Sequence, residues 1–125
     1  MAFVAVIDDD EQLRTALADL IGSCGMESEG FGSSRDYLES TTVARTNCLV
    51  ADVQMSGMSG FELYRTLLRD GYQIPVVFIT AFPDERVRRE AKSLGAVCFL
   101  SKPFQIGMLM DCINEALGHR RPPAS

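Results

Sequence analysis

The chain has 125 residues, enough for one compact domain with its own core. A hydrophobic fraction of 46% and a charged fraction of 23% exclude a disordered or fibrous polymer. A formal charge of −5 argues against a dedicated nucleic-acid binder, which carries a basic face.

The expectation is a soluble cytoplasmic domain. Its first seven residues are apolar but lack a basic flank and run into acids, so they do not read as a signal peptide. The apolar stretch at residues 75–79, like the one at 1–7, is far too short to span a bilayer. Cys24, Cys48, Cys98 and Cys112 show no CxxC spacing and lie in apolar segments. They read as reduced core residues rather than a disulfide or zinc framework.

Short β-branched runs alternate with helical patterns along the chain. The runs at 3–7 (FVAVI), 48–51 (CLVA), 75–79 (PVVFI) and 96–100 (AVCFL) suit strands buried on both faces of a parallel sheet. Leu13, Ala16, Leu17, Leu20, Ile21 and Cys24 fall on one face of a first helix. A weaker strand near 26–31 and a short helix near 34–39 follow. Phe61, Tyr64, Leu67 and Leu68 mark another helix, Val87, Ala91 and Leu94 a shorter one, and Ile106, Leu109, Met110, Ile113 and Leu117 the last. Gly25, Gly71 and Gly95 stand just past three of these helices, where a left-handed cap is wanted. Five strands alternating with five helices imply right-handed βαβ units and a doubly wound α/β fold. Residues 1–119 read as the domain, and 120–125 (RRPPAS) as a linker start or frayed tail.

Sites in open α/β sheets form at the carboxyl ends of the strands. Here the first strand ends in Asp8, Asp9 and Asp10, the third in Asp52, the fourth in Thr80 and the fifth in Ser101–Lys102–Pro103. Each has an ordinary explanation: Asp9 as a helix cap with Gln12 three residues on, Asp52 as a turn residue, Thr80 as a cap, Lys102 as a solvated lysine. Their convergence on one pole is the informative feature. Asp8, Asp9 and Asp52 bring three negative charges and Lys102 one positive charge, a deficit that a divalent ion closes. Carboxylate oxygens with few other ligands suit Mg²⁺, with Mn²⁺ as an alternative. Such a pocket accommodates a phosphoryl group, and an ionised aspartate can attack phosphorus to form an acyl phosphate.

In these residues the sequence resembles the receiver domain of two-component response regulators. The match comprises the Asp8–Asp9 pair, Asp52, Thr80 and Lys102–Pro103 in order, together with residues 52–60 (DVQMSGMSG) against the family's DxxMPxMxG loop. The resemblance implies a CheY-like, flavodoxin-like sheet in strand order 2-1-3-4-5. It implies that Asp52 accepts a phosphoryl group from a sensor histidine kinase, and that Asp9, Asp52 and the Gln54 carbonyl bind the metal, Asp8 acting through metal-bound water. Thr80 and Lys102 are then the phosphoryl-oxygen partners, Phe99 the aromatic switch, and the bond before Pro103 cis. The resemblance further implies a phosphorylation-dependent homodimer through the fourth helix, fifth strand and fifth helix, and no membrane contact or direct nucleic-acid binding. It is strongest to receivers that precede DNA-binding transcription domains, such a domain lying outside this chain. Ser56 stands where the family has proline, which frees φ and implies a less rigid loop.

The fourth helix, read over 83–94, starts with Pro83 and has Phe82 at the cap position, which offers no side-chain oxygen. A loose start that shifts on phosphorylation is expected. Its Arg86, Arg88, Arg89 and Lys92 form a basic face, either simply solvated or pairing with Asp111 and Glu115 of a second copy. A rival reading takes Asp8-x-Asp10 as the DxD signature of a haloacid-dehalogenase-type phosphatase, with Asp8 as nucleophile. The short chain leaves no room for that family's substrate-selecting cap. A flavodoxin-like ligand-binding module ranks last, because three carboxylates repel a flavin phosphate. His119 is the only histidine and lies in the tail, so the domain reads as a phosphoacceptor with at most weak self-catalysed phosphotransfer and dephosphorylation, not as a kinase.

Overall fold

A computed structural model describes residues 2–118. The elements run β1 (Phe3–Ile7), α1 (Glu11–Ser23), β2 (Glu27–Phe31), α2 (Ser34–Leu38), a single 3-10 turn (Val43–Arg45), β3 (Cys48–Asp52), α3 (Gly60–Arg69), β4 (Val76–Thr80), α4 (Glu85–Ser93), β5 (Cys98–Ser101) and α5 (Ile106–Ala116). All strand pairs are parallel and the order is β2-β1-β3-β4-β5, as expected.

Strand alternation divides the core into two layers. Ala5, Ile7, Leu49, Ala51, Val76 and Phe78 face α3, whose Leu63, Tyr64 and Leu67 are buried there, and α4, which contributes Ala91. Val4, Val6, Val50, Val77 and Ile79 face Leu17 and Ile21 of α1 and Leu109 and Ile113 of α5. The three central strands are therefore buried at every position, whereas β5 at the edge is mostly half-buried. The chain winds outward in both directions from between β1 and β3, and that switch point is where the carboxyl-end crevice opens.

Gly25, Gly71 and Gly95 have φ of +82°, +91° and +79°, so the predicted left-handed caps are present. Four expectations are corrected. Asp10, not Asp9, caps α1, its carboxylate accepting the Gln12 and Leu13 N–H groups. On α1 the buried stripe is narrower than its apolar pattern, for Ala16 and Cys24 are exposed. The start of α4 is Glu85 rather than Pro83, and Asp84 caps it by accepting the Val87 N–H at 2.8 Å, so it does not lack a cap. Finally, Cys98 and Cys112 are joined as a disulfide, with Cα atoms 5.9 Å apart. Spacing could not reveal this pairing, because β5 and α5 come together only when α5 packs back across the sheet. Cys48 is a buried free thiol as expected, and Cys24 is free but exposed. Residues 119–125, including His119 and the tail read as a linker, lie outside the described residues. No helix among the described residues is long and apolar enough to cross a membrane.

Candidate functional site

Register builds the site before any side chain is considered. Ile7 lies opposite Ala51, so the next residues, Asp8 and Asp52, emerge side by side at the carboxyl ends of β1 and β3. Asp52 pairs with Ile79, which puts Thr80 one step further on at the end of β4. Thr80 in turn pairs with Ser101, directly before Lys102. One oxygen from each of Asp8, Asp9 and Asp52 lies within 4.8 Å of the other two. Asp8 and Asp52 are buried, and Asp9 is exposed at the rim.

Lys102 closes the cluster from the opposite side. Its Nζ donates to Asp8 Oδ2 at 2.9 Å and to Asp52 Oδ2 at 2.7 Å, while its backbone N–H extends the β4 ladder by donating to the Thr80 carbonyl at 2.7 Å. The Lys102–Pro103 peptide is cis, as the resemblance implied. Burial raises the Asp52 carboxyl above the ordinary carboxylate range, helped by the neighbouring charge of Asp8 and opposed by the Lys102 hydrogen bond. For Lys102, burial acts downward, but the hydrogen bonds and charges of Asp52 and Asp8 outweigh it and its ammonium is raised. Three carboxylates against one ammonium leave two uncompensated charges, and the hard oxygen donors match a divalent cation. Asp10 does not join them; it is spent on capping α1.

The loop after β3 is fixed by contacts that the spacing of residues does not announce. Asp52 Oδ1 accepts the Gln54 N–H at 2.9 Å. Buried Ser34 donates to the Met58 carbonyl at 3.1 Å, tying the loop to α2. A Cβ at Gly60 would sit 2.4 Å from the Asp52 carbonyl oxygen, so only glycine lets α3 begin this close to the strand end. Ser56 is exposed in this loop, next to Gly57 at φ +79°.

Two further partners were missed by sequence reasoning. Arg14 of α1 donates to the Asp8 carbonyl at 2.6 Å, crossing above Gly30, where a Cβ would lie 3.1 Å from its Cδ. The Gln54 side-chain oxygen accepts a hydrogen bond from the Thr80 hydroxyl, which itself accepts the Phe82 N–H at 3.0 Å. No motif marks Arg14, and the resemblance singles out Gln54 for its backbone carbonyl alone. Phe99 lies on β5, half-buried against the α3–α4 layer, with the Arg88 guanidinium 5.5 Å from its ring centre. A cleft of about 790 Å³ opens beside the cluster, lined by Asp9, Gln54, Met55, Phe61, Arg86 and Val87 among others.

Known proteins resemble this chain over most of its length. The response regulator receiver domain family matches residues 4–114. Nodulation protein W of Bradyrhizobium diazoefficiens is 42% identical over 115 residues, covering 92% of this chain and 51% of that protein. The transcriptional regulatory protein TdiR of Thauera aromatica is 33% identical over 121 residues, 97% of this chain and 53% of that protein. The solved structure of response regulator StyR superposes with a TM-score of 0.86 at 40% identity, over 94% of this chain and 59% of that one. The chain thus spans about half the length of the curated relatives it matches.

Proposed function

Because the chain belongs to the response regulator receiver domain family, we propose that it is a phosphoacceptor whose Asp52 takes a phosphoryl group from a phosphohistidine of a sensor kinase. The supporting observation is the placement of Asp52: its carboxylate is flanked by two further carboxylates, held by Lys102, and one register step from the Thr80 hydroxyl.

The chemistry follows from those neighbours. An Asp52 oxygen attacks phosphorus, the P–N bond to the histidine breaks, and the imidazole leaves with the bonding pair, giving an acyl phosphate. Asp8, Asp9 and Asp52, with the Gln54 carbonyl, would hold Mg²⁺ or Mn²⁺, which supplies neutralisation of charge on the phosphoryl oxygens. Lys102 moves its ammonium from Asp52 Oδ2 to a phosphoryl oxygen, so the charge that holds the resting carboxylate also stabilises the product. Thr80 has a single hydroxyl proton, at present given to Gln54. Donating it to the phosphoryl group means releasing Gln54, and the shift of Thr80 vacates space into which Phe99 turns.

That movement reaches α4, β5 and α5, the surface we assign to a phosphorylation-dependent homodimer or to an output domain following this chain. The relatives named as transcriptional regulators make a DNA-binding output the reading for the whole protein. The phosphatase alternative loses its second aspartate, because Asp10 caps α1.

The deciding experiment uses a small acyl phosphate as donor with Mg²⁺, borohydride reduction of the acyl phosphate, and peptide mass mapping. Label is expected on Asp52 and absent in Asp52→Asn. Label on Asp8, or undiminished uptake by Asp52→Asn, overturns the assignment.

A further inference from the structure

We propose that Cys98 and Cys112 are a reversible oxidation site, oxidised by a hydroperoxide from a dithiol to a disulfide that ties α5 to the edge strand β5, and returned by a dithiol reductant. Cys98 opens β5 and Cys112 lies in the second half of α5, 14 residues on. Their Cα atoms are 5.9 Å apart, so the side chains meet without displacing backbone. The two sulfurs differ in access. Cys98 is half-buried on the open edge of the sheet, whereas Cys112 is 7% exposed beneath the helix.

This asymmetry assigns the steps. The Cys98 thiolate attacks a peroxide oxygen, the O–O bond breaks, and the sulfur becomes a sulfenic acid as the alcohol or water leaves. The Cys112 sulfur then attacks Cys98, the S–O bond breaks, and water departs as the disulfide forms. Two electrons pass from the thiols to the peroxide, and their two protons end in the hydroxyl and water products. A dithiol reductant reverses the change by exchange. The Glu115 carboxylate, three residues after Cys112 on α5, lies 3.9 Å from the Cys98 sulfur. Cys48 does not compete, since burial pushes its thiol up to about 12 and keeps it protonated.

The bond matters because the first turn of α5 is weakly held and the helix depends on anchors further along. Gln105 makes no side-chain cap bond, and Ile106 and Met108 are 55% and 51% exposed. Leu109 and Ile113 carry its packing on the sheet. Closing a loop of this length shifts the unfolding equilibrium by on the order of a hundredfold, so reduction loosens α5 while leaving the rim around Asp52 untouched. Phe99, next to Cys98, packs on the opposite layer, which brings the bond within one residue of the proposed switch.

The test uses the full chain without phosphodonor, so its outcome is independent of the Asp52 assignment. The protein is treated with hydrogen peroxide or with dithiothreitol, alkylated, and mapped by mass spectrometry. Oxidation is expected to remove two of the four alkylatable cysteines as a Cys98–Cys112 cross-linked peptide, and the dithiol to restore all four. Amide exchange across Ile106–Ala116 is expected to slow on oxidation by about tenfold or more in the native chain and in Cys24→Ser, but not in Cys98→Ser. Cross-links through Cys24, sulfinic acid at Cys98 without a cross-link, or α5 exchange indifferent to redox state overturns the proposal.

Discussion

The rim formed by β1 and β3 and the edge formed by β5 and α5 belong to one sheet but are built on opposite plans. At the rim, buried carboxylates are held by Lys102, by the Gln54 and Asp10 N–H groups, and by a loop that Ser34 and Gly60 keep tight against the strand. The helix following β3 has a complete capping box, Ser59 with Glu62. At the edge, β5 is half-buried, α5 starts without a side-chain cap, and apolar Ile106 and Met108 face outward. Charges that must stay close are costly to bring together, so they sit where neighbouring groups leave them little freedom. A surface meant to change partners is better placed where few contacts have to be broken.

The contrast can be broken most severely at Lys102. Lys102→Met leaves Asp8 and Asp52 adjacent without their shared cation and is expected to destabilise the fold by about 3 kcal/mol, the lower end for breaking a buried pair, since the lysine side chain keeps 23% exposure. Urea unfolding measures the loss, and added Mg²⁺ should recover part of it. Full stability of the variant would mean that the rim is not under electrostatic constraint.

Alkaline titration tests the interior away from the rim, where the Tyr37 hydroxyl donates to Thr46 ahead of β3. Burial raises the Tyr37 phenol from 10.0 to about 12, against the hydrogen bond to Thr46 and with a small push from Tyr72. Because the folded value is the raised one, the stability held below pH about 10 is lost as pH climbs through 12. The expected loss is about 2 to 3 kcal/mol. Tyrosinate absorbance should show the Tyr37 and Tyr64 phenols, both raised by burial, ionising late, Tyr37 together with unfolding.

Gly60→Ala is expected to cost about 2 kcal/mol and to perturb the chemical shifts of Asp52 and Gln54. The added methyl meets backbone, which cannot rotate away. The smallest effect is expected at the start of α4: Asp84→Ala removes its cap and should cost about 1 kcal/mol, with faster amide exchange confined to the first turn of α4. A rim perturbed by that change as strongly as α4 would mean that the carboxylates are not held independently of the helix start.

Sequence by itself determined the alternation of buried strands and amphipathic helices, the position of every strand to within two residues, and the identity of the acidic cluster. These follow from local chemistry: β-branched runs can only be buried strands here, and carboxylates at strand ends in a parallel sheet converge by topology. Tertiary structure alone decided the rest. Whether Asp9 or Asp10 caps α1, that Asp84 stands ready for α4, that Arg14 reaches the Asp8 carbonyl and that Cys98 meets Cys112 all depend on distances between segments far apart in the chain or on a one-residue choice of helix start. Residue spacing along a polymer constrains which face a side chain takes; it leaves open which distant side chain that face will meet.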